Sequence, residues 1–212
     1  MNLYVFNETR PAAVYGVGTY IRELTEALRH SSLNVCIVNL KSDILQIQFE
    51  EIDGIRYWHF PKQLTEQRTI DYQKQIELYF RSIVYLLQLH IEDRKDLIFH
   101  LNYMDSKPLA NSLKTVFDCK IVLVVHYLES CMTLLGNISR LRRIILQPNE
   151  QTNEEDKLAN IFFQKEKELF HSVDKIICLA NHTFELLHQY YQIDKEKMVV
   201  ISNGLSDATI RQ

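Results

Sequence analysis

Glycine and proline are scarce in this 212-residue chain, at five and four residues, which excludes collagen-like, low-complexity and linker architectures. Long apolar runs are missing as well. Even the longest uninterrupted ones, such as Ile83–Leu87 and Ile121–Val125, fall far short of the roughly 20 residues that a membrane-spanning helix needs. The opening Met-Asn-Leu-Tyr-Val-Phe-Asn-Glu has neither a basic leader nor a long apolar stretch, so no signal peptide is expected. Cys36, Cys119, Cys131 and Cys178 share no C-x-x-C or C-x-x-H spacing, and two of them, Cys36 and Cys178, sit inside apolar strand-like runs. That is the pattern of buried thiols in a reducing compartment, and a cytoplasmic location is expected. A basic surplus is also lacking: 24 Lys and Arg face 27 Asp and Glu, for a net charge of -3. Only Arg140, Arg142 and Arg143 form a cluster that outweighs its acidic neighbours, which argues against nucleic acid as a partner.

What is present is a hydrophobic fraction of 46% and a charged fraction of 24%, in a chain long enough to bury about 70% of its unfolded surface. The stretch around which the rest is organised is Tyr15-Gly16-Val17-Gly18-Thr19-Tyr20. It falls between an apolar run, Leu3–Phe6, and a helical pattern from Tyr20 to about Arg29. A strand, a glycine turn and a helix in that order bring backbone N–H groups and the positive end of a helix dipole beside the carboxyl end of a strand, where anions bind. Two glycines here imply either a positive φ or a surface without side chains that something approaches closely. An ordinary βα connection is the alternative.

Down the chain, Ile21, Leu24, Thr25 and Leu28 mark one helix face and Asn34–Leu40 a second strand, which makes a βαβ unit and so a parallel pair. Gln46–Glu51 and Ile55–Phe60 around Asp53-Gly54 read as a hairpin. A long helix is expected over Arg68–Ile91, with Ile76, Tyr79, Phe80, Ile83, Val84, Leu87 and Ile91 as a core stripe. Then come a strand at Asp96–Leu101, a helix from Ser106 to Phe117 with Pro108 in its first turn, and a strand at Lys120–His126 that is β-branched on both faces. The pattern weakens over Leu128–Asn153, where only a short helix near Ile138–Leu146 is expected. Glu154–His171 and His182–Tyr191 read as helices, and Lys175–Leu179 and Met198–Ile201 as strands. Strands alternating with helices predict an α/β fold: one Rossmann-like, doubly wound, mostly parallel sheet with a small antiparallel extension, over residues 1–205.

In such a fold the chemistry sits just past the strands, at Asn7, Glu8, Gly16, Gly18, Asn102, Tyr103, Asp105, His126, Tyr127, Glu129, Asn181 and Asn203. His126 closes an apolar strand, which puts an imidazole at the crevice; a hydrogen-bonded structural histidine is the other reading. His100, inside an apolar run, reads as core. A dinucleotide fingerprint fails, because Ile21 stands at the third glycine's place and Gly16 comes nine residues after Asn7. No metal is expected: His182 and His188 are six apart and cannot share a helix face as an i, i+4 pair does. Glu166 and Glu168, interleaved with Lys165 and Lys167, read as a solvated helix face.

Five segments in this order resemble the N-terminal half of GT-B glycosyltransferases of the large retaining family 4. They are Gly16-Val17-Gly18-Thr19-Tyr20-Ile21-Arg22-Glu23-Leu24, Asp96–His100, Val122–His126, Asp174–Cys178, and Val199-Val200-Ile201-Ser202-Asn203-Gly204-Leu205. The resemblance implies an acceptor-side domain facing a second, nucleotide-sugar domain, with transfer of a hexose to a saccharide or lipid-linked acceptor, as in polysaccharide biosynthesis. It implies that Gly16, Val17 and Gly18 approach the donor, and that His126, the candidate catalytic residue, hydrogen-bonds a hydroxyl of the transferred sugar. Asn7, Glu8, Asn102 and Tyr103 would lie on the acceptor side, with Asn203 and Gly204 as the interdomain hinge and residues 206–212 as the start of the link. No cofactor or metal is implied, since the nucleotide sugar is a substrate.

The sequence departs from that family pattern at Ser202, where proline is usual, at Leu205-Ser206-Asp207, where an acid usually comes sooner, and at Leu179-Ala180-Asn181, where serine is common. The E-x7-E signature of the second domain is absent, so the chain by itself is expected to be an inactive, truncated half that could associate with itself through exposed apolar surface. Peripheral attachment to the inner face of a membrane is a lesser expectation, through Ile138–Leu146 and its arginines. Two rivals stand beside this reading: a non-catalytic carbohydrate- or phosphate-binding module or half of a split enzyme, and a small nucleotide-dependent reductase.

Overall fold

The apolar run at Leu3–Phe6 forms β1 (Asn2–Glu8), which is buried at every residue except Asn7, itself partly covered. The computed structural model describes residues 1–8, 16–62, 72–147 and 153–204. β1 pairs in parallel on both sides, with β2 (Asn34–Ser42) and with β5 (Leu97–Leu101). Burial on both faces explains why these strands read as unbroken apolar runs instead of alternating ones. The β1-to-β2 crossover contains α1 (Val17–Leu28), which begins three residues before the expected Tyr20 and takes Gly18 into its first turn.

The hairpin is present as β3 (Gln48–Ile52) antiparallel to β4 (Ile55–Pro61). Its turn has Asp53 at φ 51 and Gly54 at φ 77, the positive pair that matches the twist of the flanking strands. β4 pairs in parallel with β2, and β3 is exposed along its whole length. Helix α2 (Tyr72–His90) buries Phe80, Ile83, Val84 and Leu87, with Ile91 just beyond; the expected start at Arg68 lies outside the described residues.

The chain continues through α3 (Lys107–Val116), β6 (Cys119–Val125), α4 (Glu129–Thr133), α5 (Ile138–Leu146), α6 (Glu154–Ser172), β7 (Lys175–Cys178), α7 (Asn181–Tyr191), a 3-10 turn at Lys195–Lys197 and β8 (Met198–Val200). Helix α4 has no counterpart in the sequence reading, because five residues are too few for a periodic pattern to register. Among the described residues the sheet has eight strands in the order β3-β4-β2-β1-β5-β6-β7-β8. The α/β, mostly parallel architecture with one small antiparallel pair is as expected.

Backbone contacts divide the chain into two compact units: Met1–Asn102 with Pro108–Val122 and Asn203 onward, and Tyr103–Lys107 with Leu123–Ser202. The first is centred on the rings of Phe6, Phe99 and Phe117, with centroids 6.0 and 5.4 Å apart along that series. In the second, Tyr191 packs between Phe163 and Phe170 at 4.5 and 5.2 Å, geometries that add to plain area burial. A smaller apolar cluster of Leu134, Leu141, Ile144 and Ala159 seats α4 and α5 on α6.

Candidate functional site

In the first unit the sequence-expected candidates are the glycine turn and the polar end of β1. Gly16 is the N-cap of α1, with φ -113 and ψ -70 and no side-chain cap. Its conformation is open to any residue, so the expected positive φ is not the reason for a glycine there. A Cβ at Gly16 would meet no described atom within 4 Å, so packing within the described chain does not require glycine either. Close approach by a ligand and an ordinary βα connection, the two readings the sequence leaves, both agree with this geometry. Val17 is buried, and Gly18 is partly covered inside the first turn. Residues 9–15, which lead into the turn, lie outside the described residues.

At the end of β1, Asn7 Nδ2 donates to Asn39 Oδ1 at 2.8 Å, and Asn39 Nδ2 lies 3.4 Å from His59 Nδ1. His59 Nε2 meets Glu50 Oε1 at 2.9 Å. These side chains step across the ladder from β1 to β2 to β4, where Asn7, Asn39 and His59 are in register. Glu8 is buried, and its carboxylate takes the Lys41 ammonium. Lys41 reaches it from a left-handed backbone position (φ 54) at an irregularity of β2, and its amide donates to the Tyr79 hydroxyl at 2.9 Å. Burial pushes the Tyr79 phenol up to about 12.

Asn102 is 0% exposed and its Nδ2 donates to the Phe6 carbonyl at 2.9 Å, tying the carboxyl ends of β5 and β1 together. Asn203 and Gly204 are exposed in the same unit, past β8. His100, expected in the core, is buried, with Nε2 3.4 Å from the Tyr20 hydroxyl.

In the second unit His126 follows directly on β6, with a partly buried side chain. Burial pushes its imidazole down to about 4, so the ring is neutral at pH 7 and presents one N–H donor and one lone pair. It lines a cavity of about 300 Å³ together with Leu128, Cys131, Ile138, His182 and Leu186. That volume is at the small end for ligand pockets, and mostly apolar walls with a few polar groups are their usual make-up. A larger, more open depression of about 770 Å³, lined by Asp174, Lys175 and Asp194–Lys197, lies where β7 and β8 begin. Ligands of doubly wound sheets bind at the carboxyl ends of the strands, which favours the His126 cavity. Tyr103 is buried and belongs to this unit, whereas Asn102 belongs to the first. Glu129 is partly buried, and burial, helped by Asp105, pushes its carboxyl up against the opposing effect of Lys165.

Sequence reasoning missed one group here. Glu166, read as a solvated position, is 1% exposed. It accepts from Ser130 N at 3.2 Å, Ser130 Oγ at 2.7 Å and the Tyr191 hydroxyl at 2.6 Å. The charged neighbours misled; the signal that could have found it is that Ala159, Phe163, Glu166 and Phe170 recur at steps of four, three and four along the buried face of α6. Glu168 is exposed as expected and pairs with Lys107. Of the arginine cluster, Arg140 bonds Asp156 and Glu155 at 2.7 and 2.9 Å, and Arg143 reaches Asp156 at 3.4 Å. Arg142 is exposed. Among the described residues no three His, Cys, Asp or Glu gather as a metal ion would require, and no helix is long and apolar enough to cross a membrane.

The sequence profile of Glycosyltransferase Family 4 matches residues 14–208. No curated protein matches significantly. Among solved structures the chain is similar to sucrose-phosphate synthase from Thermosynechococcus elongatus, with a TM-score of 0.62 and 15% identity over 97% of this chain and 48% of that one. It is also similar to α,α-trehalose 6-phosphate synthase from Burkholderia multivorans, with a TM-score of 0.52 and 10% identity over 89% and 42% of the two chains. The chain thus spans about half the length of each of these, and the likeness is to the Rossmann-like half of a GT-B fold.

Proposed function

This chain belongs to Glycosyltransferase Family 4, and we propose that it is the acceptor-binding half of an enzyme that moves a hexose from a nucleotide sugar to a saccharide or lipid-linked acceptor. The observation that carries this reading is the imidazole of His126, held neutral by burial in a cavity just past a parallel strand. A neutral imidazole orients a sugar hydroxyl through a hydrogen bond without carrying a charge of its own. At Gly16–Gly18 the first-turn N–H groups of α1, without a side-chain cap, suit the charge that grows on a departing diphosphate. Asn7 and Glu8 at the end of β1, and Asn102 and Tyr103 past β5, are the proposed acceptor-side groups, and Asn203-Gly204 the crossing to a second α/β domain. That domain supplies most of the nucleotide-sugar site, so the 212-residue chain by itself is inactive. No metal or other cofactor takes part.

Four free thiols suit a cytoplasmic setting. Peripheral contact with a membrane would use the exposed Ile138, Arg142 and Leu146 of α5, and failure of the chain to bind anionic vesicles at low salt removes that part. The test of the main reading is a donor and acceptor screen on the chain joined to a second α/β domain, with His126→Ala and Gly16→Val as controls. Transfer that both substitutions leave intact would clear these residues of their roles. Transfer at a normal rate by the 212-residue chain alone would refute its inactivity.

A further inference from the structure

We propose that Glu166 is a positioning residue: its buried carboxyl group, shared by Ser130 and Tyr191, locks α4 and α7 onto α6 and thereby fixes the walls of the His126 cavity. Three helices meet at this one group. Ser130 belongs to α4 and is 0% exposed; Tyr191 ends α7 and is 0% exposed; Glu166 lies in the C-terminal half of α6.

Helix α4 explains why a carboxyl group is needed. The helix is five residues long and its N-cap, Leu128, offers no side-chain acceptor, so its first N–H groups have no partner from its own N-cap. Glu166 supplies one from another helix: Oε1 accepts from Ser130 N at 3.2 Å while Oε2 takes the Ser130 hydroxyl at 2.7 Å. A negative group at that end also agrees with the helix dipole. Oε2 accepts in addition from the Tyr191 hydroxyl at 2.6 Å, and the two hydroxyls are 2.8 Å apart. Burial pushes the Glu166 carboxyl up, and the hydrogen bonds from Tyr191 and Ser130 pull it back.

The elements tied here are the ones that line the cavity. The loop between β6 and α4 contributes His126 and Leu128, α4 contributes Cys131, and α7 contributes His182 and Leu186. Ser130 stands only four residues after His126, so the carboxyl group holds the far end of the short segment that carries the imidazole. Loss of that anchor frees α4 to lift and lets water reach His126, whose low pKa depends on burial.

The link to sugar transfer rests on the function proposed above, whereas the positioning role is tested without donor or acceptor, so either can fail alone. The 212-residue chain is prepared with Glu166→Gln and with Tyr191→Phe, which keeps the ring between Phe163 and Phe170. His126 is titrated by NMR, and amide exchange is followed residue by residue. In the unaltered chain His126 is expected to titrate near 4, where burial pushes it. In both variants its pKa moves toward the ordinary value of about 6.5. The Ser130 amide exchanges at least about tenfold faster, the size set by one hydrogen bond to a charged group, while β1 and β2 exchange as before. An unmoved His126 titration in a folded variant overturns the proposal, and so does exchange that quickens uniformly along the chain, which would make Glu166 merely a stabilising group. If Glu166→Gln does not fold, Tyr191→Phe decides by the same two readouts.

Discussion

Asn7 and Asn39 face each other at a paired position of the β1–β2 ladder, and the amide nitrogen of Asn7 donates to the amide oxygen of Asn39 at 2.8 Å. Asn39 is buried within the otherwise apolar stretch Val35–Leu40 of β2, and its own nitrogen turns to His59. The substitution Asn39→Ala therefore removes the middle of a polar chain and leaves the amide of Asn7 without that acceptor. A loss of about 1–3 kcal/mol in folding stability is expected, read from the urea midpoint. A change below about 0.5 kcal/mol would mean that water replaces the bond at no cost.

Gly16 separates fold from function. With φ -113 and no described atom within 4 Å of a Cβ, Gly16→Ser is expected to leave the melting temperature unchanged or slightly raised, since serine is a good N-cap. Donor affinity of the enzyme joined to its second domain falls about tenfold or more if phosphate approaches this backbone, by calorimetry or inhibition with a nucleoside diphosphate. An undiminished affinity would remove Gly16 from the donor site.

His126 gives the protein a pH signature. Its pKa falls from 6.5 when unfolded to about 4 when folded, so between those values the unfolded chain binds more protons and stability drops as pH is lowered. The full effect is on the order of 3 kcal/mol. His126→Gln is expected to flatten that part of the stability curve, measured by urea unfolding from pH 7 to pH 4. An unaltered slope would mean that the ring is solvated in the native state.

Leu135 stands 96% exposed with φ 52, just before Gly136 at φ 77. A leucine gains nothing from packing there and bears the cost of a left-handed backbone, which asparagine tolerates better. Leu135→Asn should raise stability by up to about 1 kcal/mol, seen as a higher melting temperature. A lower one would show that the leucine has a contact outside the described residues.

The β-rich half of the fold could be read directly. Apolar runs located β1, β2, β5, β6, β7 and β8 to within a residue or two at most ends, and Asp53-Gly54 located the hairpin turn. The bounds of α5 agree with Ile138–Leu146. Helix α4 was out of reach, and so was the partner of Glu166: Lys165, Lys167 and Glu168 are neighbours in sequence but point about 100° or more away around the helix. Asn102 had a visible place, after β5, but not a visible burial.

Local order in this protein is written in the chain itself, because period two, period 3.6 and turn dipeptides act over a few residues and need no distant partner. From it follow the alternation of strands and helices, the glycine turn ahead of α1 and an imidazole at the end of β6. Tertiary contact decided what each polar group does. Whether Glu166 meets water or two hydroxyls, whether Glu8 meets a ligand or Lys41, and whether His126 is charged at neutral pH depend on which surfaces dock over them. Burial changes the free energy of a charge by several kcal/mol, and a side chain is buried by residues that can be 30 or more positions away in sequence, as Ser130 is from Glu166.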